Sequence, residues 1–341
     1  MPNNAALSDR VVSTTNKTIV PKLVDTVLNS NTLTSRILSK TESWSGEKME
    51  FPVKVSKNTN GGSFSGLDIH TVSAVDNKKK LTFYPSFYQI TSVIPTTELA
   101  VNSTDDQVLN LIDVTVSSDA QDPADDIGTM FYGAGTGNSN KDFWGLQNLV
   151  DDGTTDTTIG GLSRTTYTGL NSTVDASSST LSLSKMHSLY NSAKSGNQKP
   201  TVGVCNETVF ALYASLLTPQ EQILKDASMM KNGLIGGAGY VGLNFMGFPI
   251  LSDEKATSGV LFFLNENFLD FYALPFPEGK PVQLGNSDIT GNDYTGAMGF
   301  TSTGILKPVD QSAYIIRTYL SGQFICSNPK RQAKATGLTT V

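Results

Sequence analysis

The glycines in Gly237-Ala238-Gly239-Tyr240-Val241-Gly242 have the GxGxxG spacing that lets a backbone turn approach a dinucleotide pyrophosphate. That chemistry needs a strand before the turn and a helix after it, so that the helix N-terminus meets the phosphates. Here Lys231-Asn232-Gly233 precedes, and Asn244-Phe245-Met246-Gly247-Phe248-Pro249 follows, a run that cannot start a helix of any length. The stretch reads as a flexible glycine loop. GxSxG, HExxH and GxxxxGK[ST] do not occur. Of the two histidines, His70 falls in a polar loop and His187 beside Met186 on a predicted helix, neither with a second histidine or cysteine nearby to build a metal cluster. A serine hydrolase would have to recruit one of them with no local signature for its nucleophile. The pairs Asp125-Asp126 and Asp151-Asp152 have the chemistry for acid–base work, but adjacent acids at a helix or turn are ordinary caps and surface. Cys205 and Cys326 form no CxxC and read as two buried thiols. These residues predict no enzyme, no cofactor and no metal.

The bulk numbers point the same way. The chain has 341 residues and a net charge of −6, and only 16% of its residues are charged, against about 25% in an average soluble protein. Its polar surface is built from Ser, Thr, Asn and Gly. Such a surface is easier to bury against another subunit, because fewer ions lose their water. Mild acidity argues against a dedicated nucleic-acid binder, which would carry a basic stripe. No run of about 18 apolar residues is present to span a membrane, and the first thirty residues lack the apolar core of a secretion signal.

The element that organises the rest is a long helix expected over Asp105 to Tyr132. Val108, Leu111, Ile112, Val116, Ala120, Ala124, Ile127 and Phe131 recur at steps of three and four, with Thr104 as N-cap. At 1.5 Å per residue it would run roughly 40 Å. Pro123 implies a kink near 119–123 or, alternatively, a second helix capped by Asp122. Before it, residues 1 to about 40 read as an extended arm without a core of its own, with a short amphipathic helix after Pro21. Met49 to Lys57 and Leu81 to Ile94 read as the two strands of a long hairpin with a floppy polar tip. A lone hairpin is marginal in water, so its apolar residues Phe51, Val53, Val55, Phe83 and Phe87 need a covering surface: their own domain or a neighbouring chain. Lys78-Lys79-Lys80 reads as a solvated charge run.

After the helix, 142–153 is apolar and ends in a turn. Leu183, Met186, Leu189, Tyr190 and Ala193 mark a helix closed by Gly196 and Pro200. Thr201 to Cys205 is a strand, and Asn206 caps the next helix. Thr218-Pro219-Gln220-Glu221 signals another helix start, and strands follow at 248–251, 260–264 and 268–272. Residues 185–305 thus form one α+β unit. Tyr314 to Cys326 is the longest strand, with Ile316, Thr318, Leu320, Phe324 and Cys326 on one face, and is expected to pack on the long helix. Lys330 to Lys334 reads as a solvated basic tail.

In this order the segments resemble the major capsid proteins of tailed phages, the Hong Kong 97 fold. The carriers are Phe51-Pro52-Val53 and Phe83-Tyr84-Pro85-Ser86-Phe87-Tyr88-Gln89-Ile90 for the extended loop, and Asp125-Asp126-Ile127-Gly128 to Tyr132 for the end of the spine helix. Gly145-Leu146, Val150-Asp151-Asp152-Gly153 and Gly160-Gly161-Leu162-Ser163-Arg164 resemble the peripheral domain. Lys199-Pro200-Thr201-Val202, Asn206-Glu207-Thr208 and Leu217-Thr218-Pro219-Gln220 resemble the axial domain. Phe263-Leu264-Asn265-Glu266 and Cys326-Ser327-Asn328-Pro329-Lys330-Arg331 complete the set. The resemblance implies an α+β fold with an N-terminal arm (1–43), an extended hairpin loop (44–95), a first peripheral part (96–184) with the spine helix 105–132, an inserted axial domain (185–305), and a peripheral return strand with the C-terminal tail (306–341). It also implies a major capsid protein that self-assembles into pentamers and hexamers of an icosahedral phage head around double-stranded DNA, without sequence-specific contacts. The remaining implied partners are a portal and a separate scaffolding protein, the alternative being a scaffolding region removed by cleavage; the shell would be assembled in the host cytoplasm and found in the virion. Some members form lysine–asparagine links between subunits; Lys54 and Lys57 lie on the hairpin, but no full set of participants matches. The alternatives are an encapsulin-type compartment of the same fold and, from another class, a carbohydrate-binding or adhesive β-protein, which would leave the long helix unexplained.

Overall fold

The computed structural model describes residues 31–70, 72–102, 122–217, 243–274, 280–281 and 300–339. The chain enters on α1 (Thr32–Leu38), which buries Leu33, Ile37 and Leu38. A short strand β1 (Glu42–Ser43) and the hairpin strands β2 (Met49–Lys54) and β3 (Lys78–Phe83) follow. The hairpin is antiparallel, with Met49 opposite Phe83 and Lys54 opposite Lys78. The single strand expected over 81–94 is instead two: the chain turns at Tyr84-Pro85 and resumes as β4 (Ser86–Pro95). Proline has no N–H to give a ladder and holds φ near −65°, which is why the hairpin ends there and β4 leaves it for another partner. That partner is β15 (Ala313–Cys326), with rungs running from Ala313 opposite Pro95 to Gly322 opposite Ser86.

Helix α2 (Thr96–Asn102) follows β4 and was not expected. Of the predicted long helix, the described portion is α3 (Asp122–Tyr132), with Asp122 and Asp125 in its first turn; the portion 105–121 and the Thr104 cap lie outside the described residues, as do the amphipathic helix after Pro21 and the helix start at Thr218. Residues 138–140 form a turn of left-handed backbone, and α4 (Leu146–Leu149) buries both its leucines. Gly145 is dictated by packing: a side chain there would strike the carbonyl oxygens of Met130 and Gly133 at the end of α3.

Two six-stranded sheets carry the body. In the first, β1 pairs parallel with β12 (Leu269–Ala273); β12, β14 (Phe300–Leu306) and β4 pair antiparallel with β15, and β13 (Lys280–Pro281) with β14. As expected, β15 packs on the helix. Phe131 of α3 stacks on Phe324 at 4.8 Å and lies 5.7 Å from Phe271, which Phe143 meets edge-on. Gly322, at φ 151°, is the closest approach between β15 and β12: an added Cβ would overlap the Tyr272 carbonyl oxygen.

A small hairpin, β5 (Thr158–Ile159) with β6 (Leu162–Ser163), precedes the second sheet. That sheet runs β7 (Thr173–Asp175), β16 (Ala333–Ala335), β11 (Leu261–Leu264), β8 (Val202–Cys205), β10 (Phe248–Ser252) and β9 (Leu243–Phe245). Helices α5 (Leu183–Ala193) and α6 (Glu207–Leu217) begin where predicted. Ser182 accepts from the Lys185 amide at 3.2 Å, and Asn206 accepts from the Val209 amide at 3.2 Å. Their apolar faces meet a cluster of Phe245, Phe248, Ile250 and Phe263. The basic tail, predicted to be solvated, is instead a 3-10 turn at Pro329–Arg331 and the interior strand β16. Pairing explains this: β16 lies between β7 and β11, and Ala333 and Ala335 are buried there.

Candidate assembly surfaces and a buried polar cluster

The five residues proposed to seek cover separate into three groups. Phe83 is in the chain's own core, edge-on to Trp144 at 5.4 Å. Phe51, Val53 and Val55 are half-buried against the same core, with Phe51 meeting Phe83 at 6.0 Å and Tyr272 at 5.6 Å. Phe87, at 60% exposed, stands out from β4. It borders a groove of about 680 Å³ between β4, α3 and the 138–143 turn, which Tyr88, Asp126, Met130, Asp142 and Phe143 also line.

Beyond Val55 the hairpin leaves the body. Its hydrogen bonds between 58 and 73 are internal: Asn60 to Ser73 on both backbone and side chain, and the Ser65 amide to Asp68 at 2.7 Å. Four apolar side chains stand on this excursion. Phe64 is 69% exposed, and Leu67, Ile69 and Val72 are almost completely so. A polar tip is what the sequence predicts, and it gives these four side chains no role. Their irregular spacing of three, two and three matches neither a strand nor a helix, and Gly61, Gly62 and Gly66 surround them. The lysine run is solvated as expected at Lys78 and Lys80, and Lys80 reaches Glu50 across the hairpin at 2.7 Å.

The chemistry-bearing residues are dispersed. His70 packs on Phe64 in the tip, and His187 sits on α5 with Nδ1 2.7 Å from the Leu183 carbonyl oxygen. Burial pushes both thiols, Cys205 and Cys326, up to about 12, far from a reactive thiolate. Asp125 pairs with Lys255 at 2.8 Å, and Asp126 accepts from the Tyr88 hydroxyl at 2.7 Å. The glycine loop 237–242 lies outside the described residues. Among the described residues, no three His, Cys, Asp or Glu side chains are grouped to hold a metal ion, and no helix is long and apolar enough to cross a membrane.

A second pair of interactions fixes α1. Arg36 grips Glu266 with two hydrogen bonds of 2.7 and 2.8 Å, and Thr201 adds a third at 3.2 Å. Burial works to raise the Glu266 pKa, but the Arg36 hydrogen bonds and charge outweigh it and hold the carboxyl below its ordinary range. The Leu33 amide donates to the buried Asp253 at 3.0 Å.

The third cluster lies under β16 and was not foreseen, because Lys334 had been read as solvated. Lys334, 5% exposed, directs Nζ to Asp151 Oδ1 at 3.5 Å and to the Gln147 carbonyl oxygen at 3.1 Å. Asp151 is itself buried, and its Oδ2 accepts from the amides of Gly153, Thr155 and Asp156 at 2.9, 3.2 and 3.0 Å. Arg164, with no exposed surface, donates to the carbonyl oxygens of Asp151 and Asn148. Burial lowers the pKa of Lys334 and Arg164, and burial with the neighbouring Asp151 raises that of Asp156.

No family model and no curated protein matches the sequence. Solved structures do. The capsid asymmetric unit of cyanophage A-1(L) superposes with a TM-score of 0.70 at 13% identity, over 95% of this chain and 97% of that one. The capsid of the Myoviridae phage XM1 gives 0.59 at 13% identity, over 94% and 96%. The SrpI encapsulin of Synechococcus elongatus PCC 7942 gives 0.55 at 12% identity, over 93% and 92%. Near-complete coverage in both directions, over sheets joined in the order described, shows that the chain has the α+β Hong Kong 97-like fold of tailed-phage capsid proteins.

Proposed function

We propose that the chain is a major capsid protein, a structural and not a catalytic subunit, that self-assembles into the pentamers and hexamers of an icosahedral phage head around double-stranded DNA. The observation that carries this reading is the excursion between Val55 and Asn77, whose four exposed apolar side chains no described part of the chain covers. In this reading the loop tip meets a different surface of its neighbour, a heterologous contact that builds a ring where the rotation between copies closes. The fold neighbours among phage capsids support the same reading. A net charge of −6 leaves the packaged DNA to be neutralised by its counterions.

In the same reading, residues 1–43 are the arm, 44–95 the extended loop, 96–184 with the helix 105–132 the first peripheral part, 185–305 the axial domain and 306–341 the peripheral return. Strands cross the last boundary in both directions: β12 and β14 pair with β15, while β16 pairs with β11. Phe87 and the half-buried Phe51, Val53 and Val55 are proposed to meet a neighbour at the loop's root, with Phe83 supporting them from beneath. A separate scaffolding protein and a portal complete the proposed assembly, which takes place in the host cytoplasm.

Negative-stain microscopy of the purified chain tests the proposal. Closed shells, or rings that close when a scaffolding protein is added, are expected; a compact monomer with and without that protein overturns it. The encapsulin neighbour favours a second reading, a protein compartment. Particle contents decide: long DNA supports the phage head, and a captured cargo protein supports the compartment.

A further inference from the structure

We propose that Lys334 and Asp151 form an intrachain amide bond, a covalent staple between the C-terminal strand β16 and the turn after α4. This inference stands apart from the shell reading and rests on the buried cluster alone. The two side chains already meet, with Nζ 3.5 Å from Oδ1, and both residues are buried. Apolar residues frame the pair in the sheet, with Lys334 between Phe262 and Val174 and Asp151 after the fully buried Val150, while polar groups meet their ends: the Gln147 carbonyl at Nζ and the three amides at Oδ2. A small cavity of about 180 Å³ adjoins them, lined in part by Val260 and Thr336.

The arrangement matches what amide formation requires. A proton passes from the Lys334 ammonium to Asp151 Oδ1, leaving a neutral amine and a neutral acid. Burial, which lowers the Lys334 pKa, favours the loss of that proton. Nζ then attacks Cγ, and negative charge develops on Oδ2. Oδ2 is where the amides of Gly153, Thr155 and Asp156 converge, three fixed donors aimed at one oxygen in the manner of an oxyanion hole. A second proton leaves nitrogen for Oδ1, which departs as water. We assign the relay of that proton to Asp156: its amide lies 3.0 Å from Asp151 Oδ2, its own Oδ2 is buried with no hydrogen-bond partner among the described residues, and burial raises its pKa. The balance is complete: ammonium plus carboxylate gives amide plus one water, with nothing oxidised or reduced. The staple would close a loop spanning 183 positions, restricting the unfolded chain as a disulfide does.

Intact-mass spectrometry of the full chain, purified and then denatured, tests this without any variant. The expected mass is lower than the sequence mass by one water, about 18 Da, and a digest contains one branched peptide joining the 151 and 334 segments. Asp151→Asn should still link, losing ammonia, about 17 Da, from its own mass. Lys334→Arg should keep its full mass, and Asp156→Asn should slow the linkage at least tenfold. A wild-type chain at full sequence mass, both fresh and after prolonged incubation, overturns the proposal. So does a water loss that survives in Lys334→Arg, since the lost water would then come from elsewhere.

Discussion

Arg36 and Glu266 show how a single contact ties an otherwise separate segment to the body. The sequence placed α1 in an arm ordered only by what it touches, and what it touches is a bidentate acceptor 230 positions away. Because Arg36 holds the Glu266 pKa below its ordinary value, the folded state binds fewer protons than the unfolded one in that range. The contribution is therefore fully present above the unfolded glutamate value, near 4.5, and is lost as pH falls through the lower folded value. Denaturant melts of wild type and Glu266→Gln should differ at pH 7 and converge in acid; a constant difference across pH 3–7 would refute the assignment. Gly322 makes a stricter demand, combining φ 151° with the Tyr272 carbonyl where a methyl group would go. Gly322→Ala should destabilise the chain by about 3 kcal/mol, read as a lower urea midpoint. Neither residue was legible beforehand: a glutamate's partner and a glycine's neighbour are matters of three-dimensional approach, not of local pattern.

Among the elements, legibility followed local cause. The alternation of β15, the cap at Asn206 and the apolar spacing from Leu183 to Ala193 are written in adjacent residues, and these elements stand where predicted. The break at Pro85 was also written locally, but the apolar density of residues 81–94 obscured it. Strand β16 could not have been read this way. Three residues carry no period, and Lys334 between two alanines looks solvated until Asp151, Val174 and Phe262 surround it. The loop tip shows the opposite problem: its apolar residues were visible in the sequence, but no period gave them a role. A double variant, Leu67→Asp with Ile69→Asp, removes apolar surface the monomer does not use. Its stability should stay within about 0.5 kcal/mol of wild type, and its assembly should fail in sedimentation; shells that form normally would show that the tip is not a contact.

At the level of the whole molecule, the Hong Kong 97-like fold was legible from the order of its segments, even though identity to its solved neighbours is only 13%. What survives at that distance is the sequence of local signals: hairpin, helix end, capped helices and return strand. Strand pairing is not written in those signals, and here β12 and β14 pair with β15 in one sheet and β11 with β16 in the other, all across the expected boundary at 305. Lys54 is exposed on the hairpin, as is Lys57 beyond it, and no complete set of partners for a link between subunits accompanies them. Assembled particles boiled in detergent should therefore run as a single band of one chain; a ladder of multiples would show covalent joining between copies.

The ladder between β4 and β15 has a mechanical consequence. The projection is rooted at Ser86, the first residue of β4, and Gln323 clasps that root by donating from Nε2 to the Tyr84 carbonyl and Ser86 hydroxyl oxygens, each at 3.2 Å. Whatever part of a tug on the projection acts along β4 meets its ladder with β15 lengthwise. The rungs from Ser86–Gly322 to Pro95–Ala313 lie across that direction, so they are strained together in shear instead of parting one by one like a zipper. The segment that reaches outward is fastened by the joint best able to carry tension into the interior.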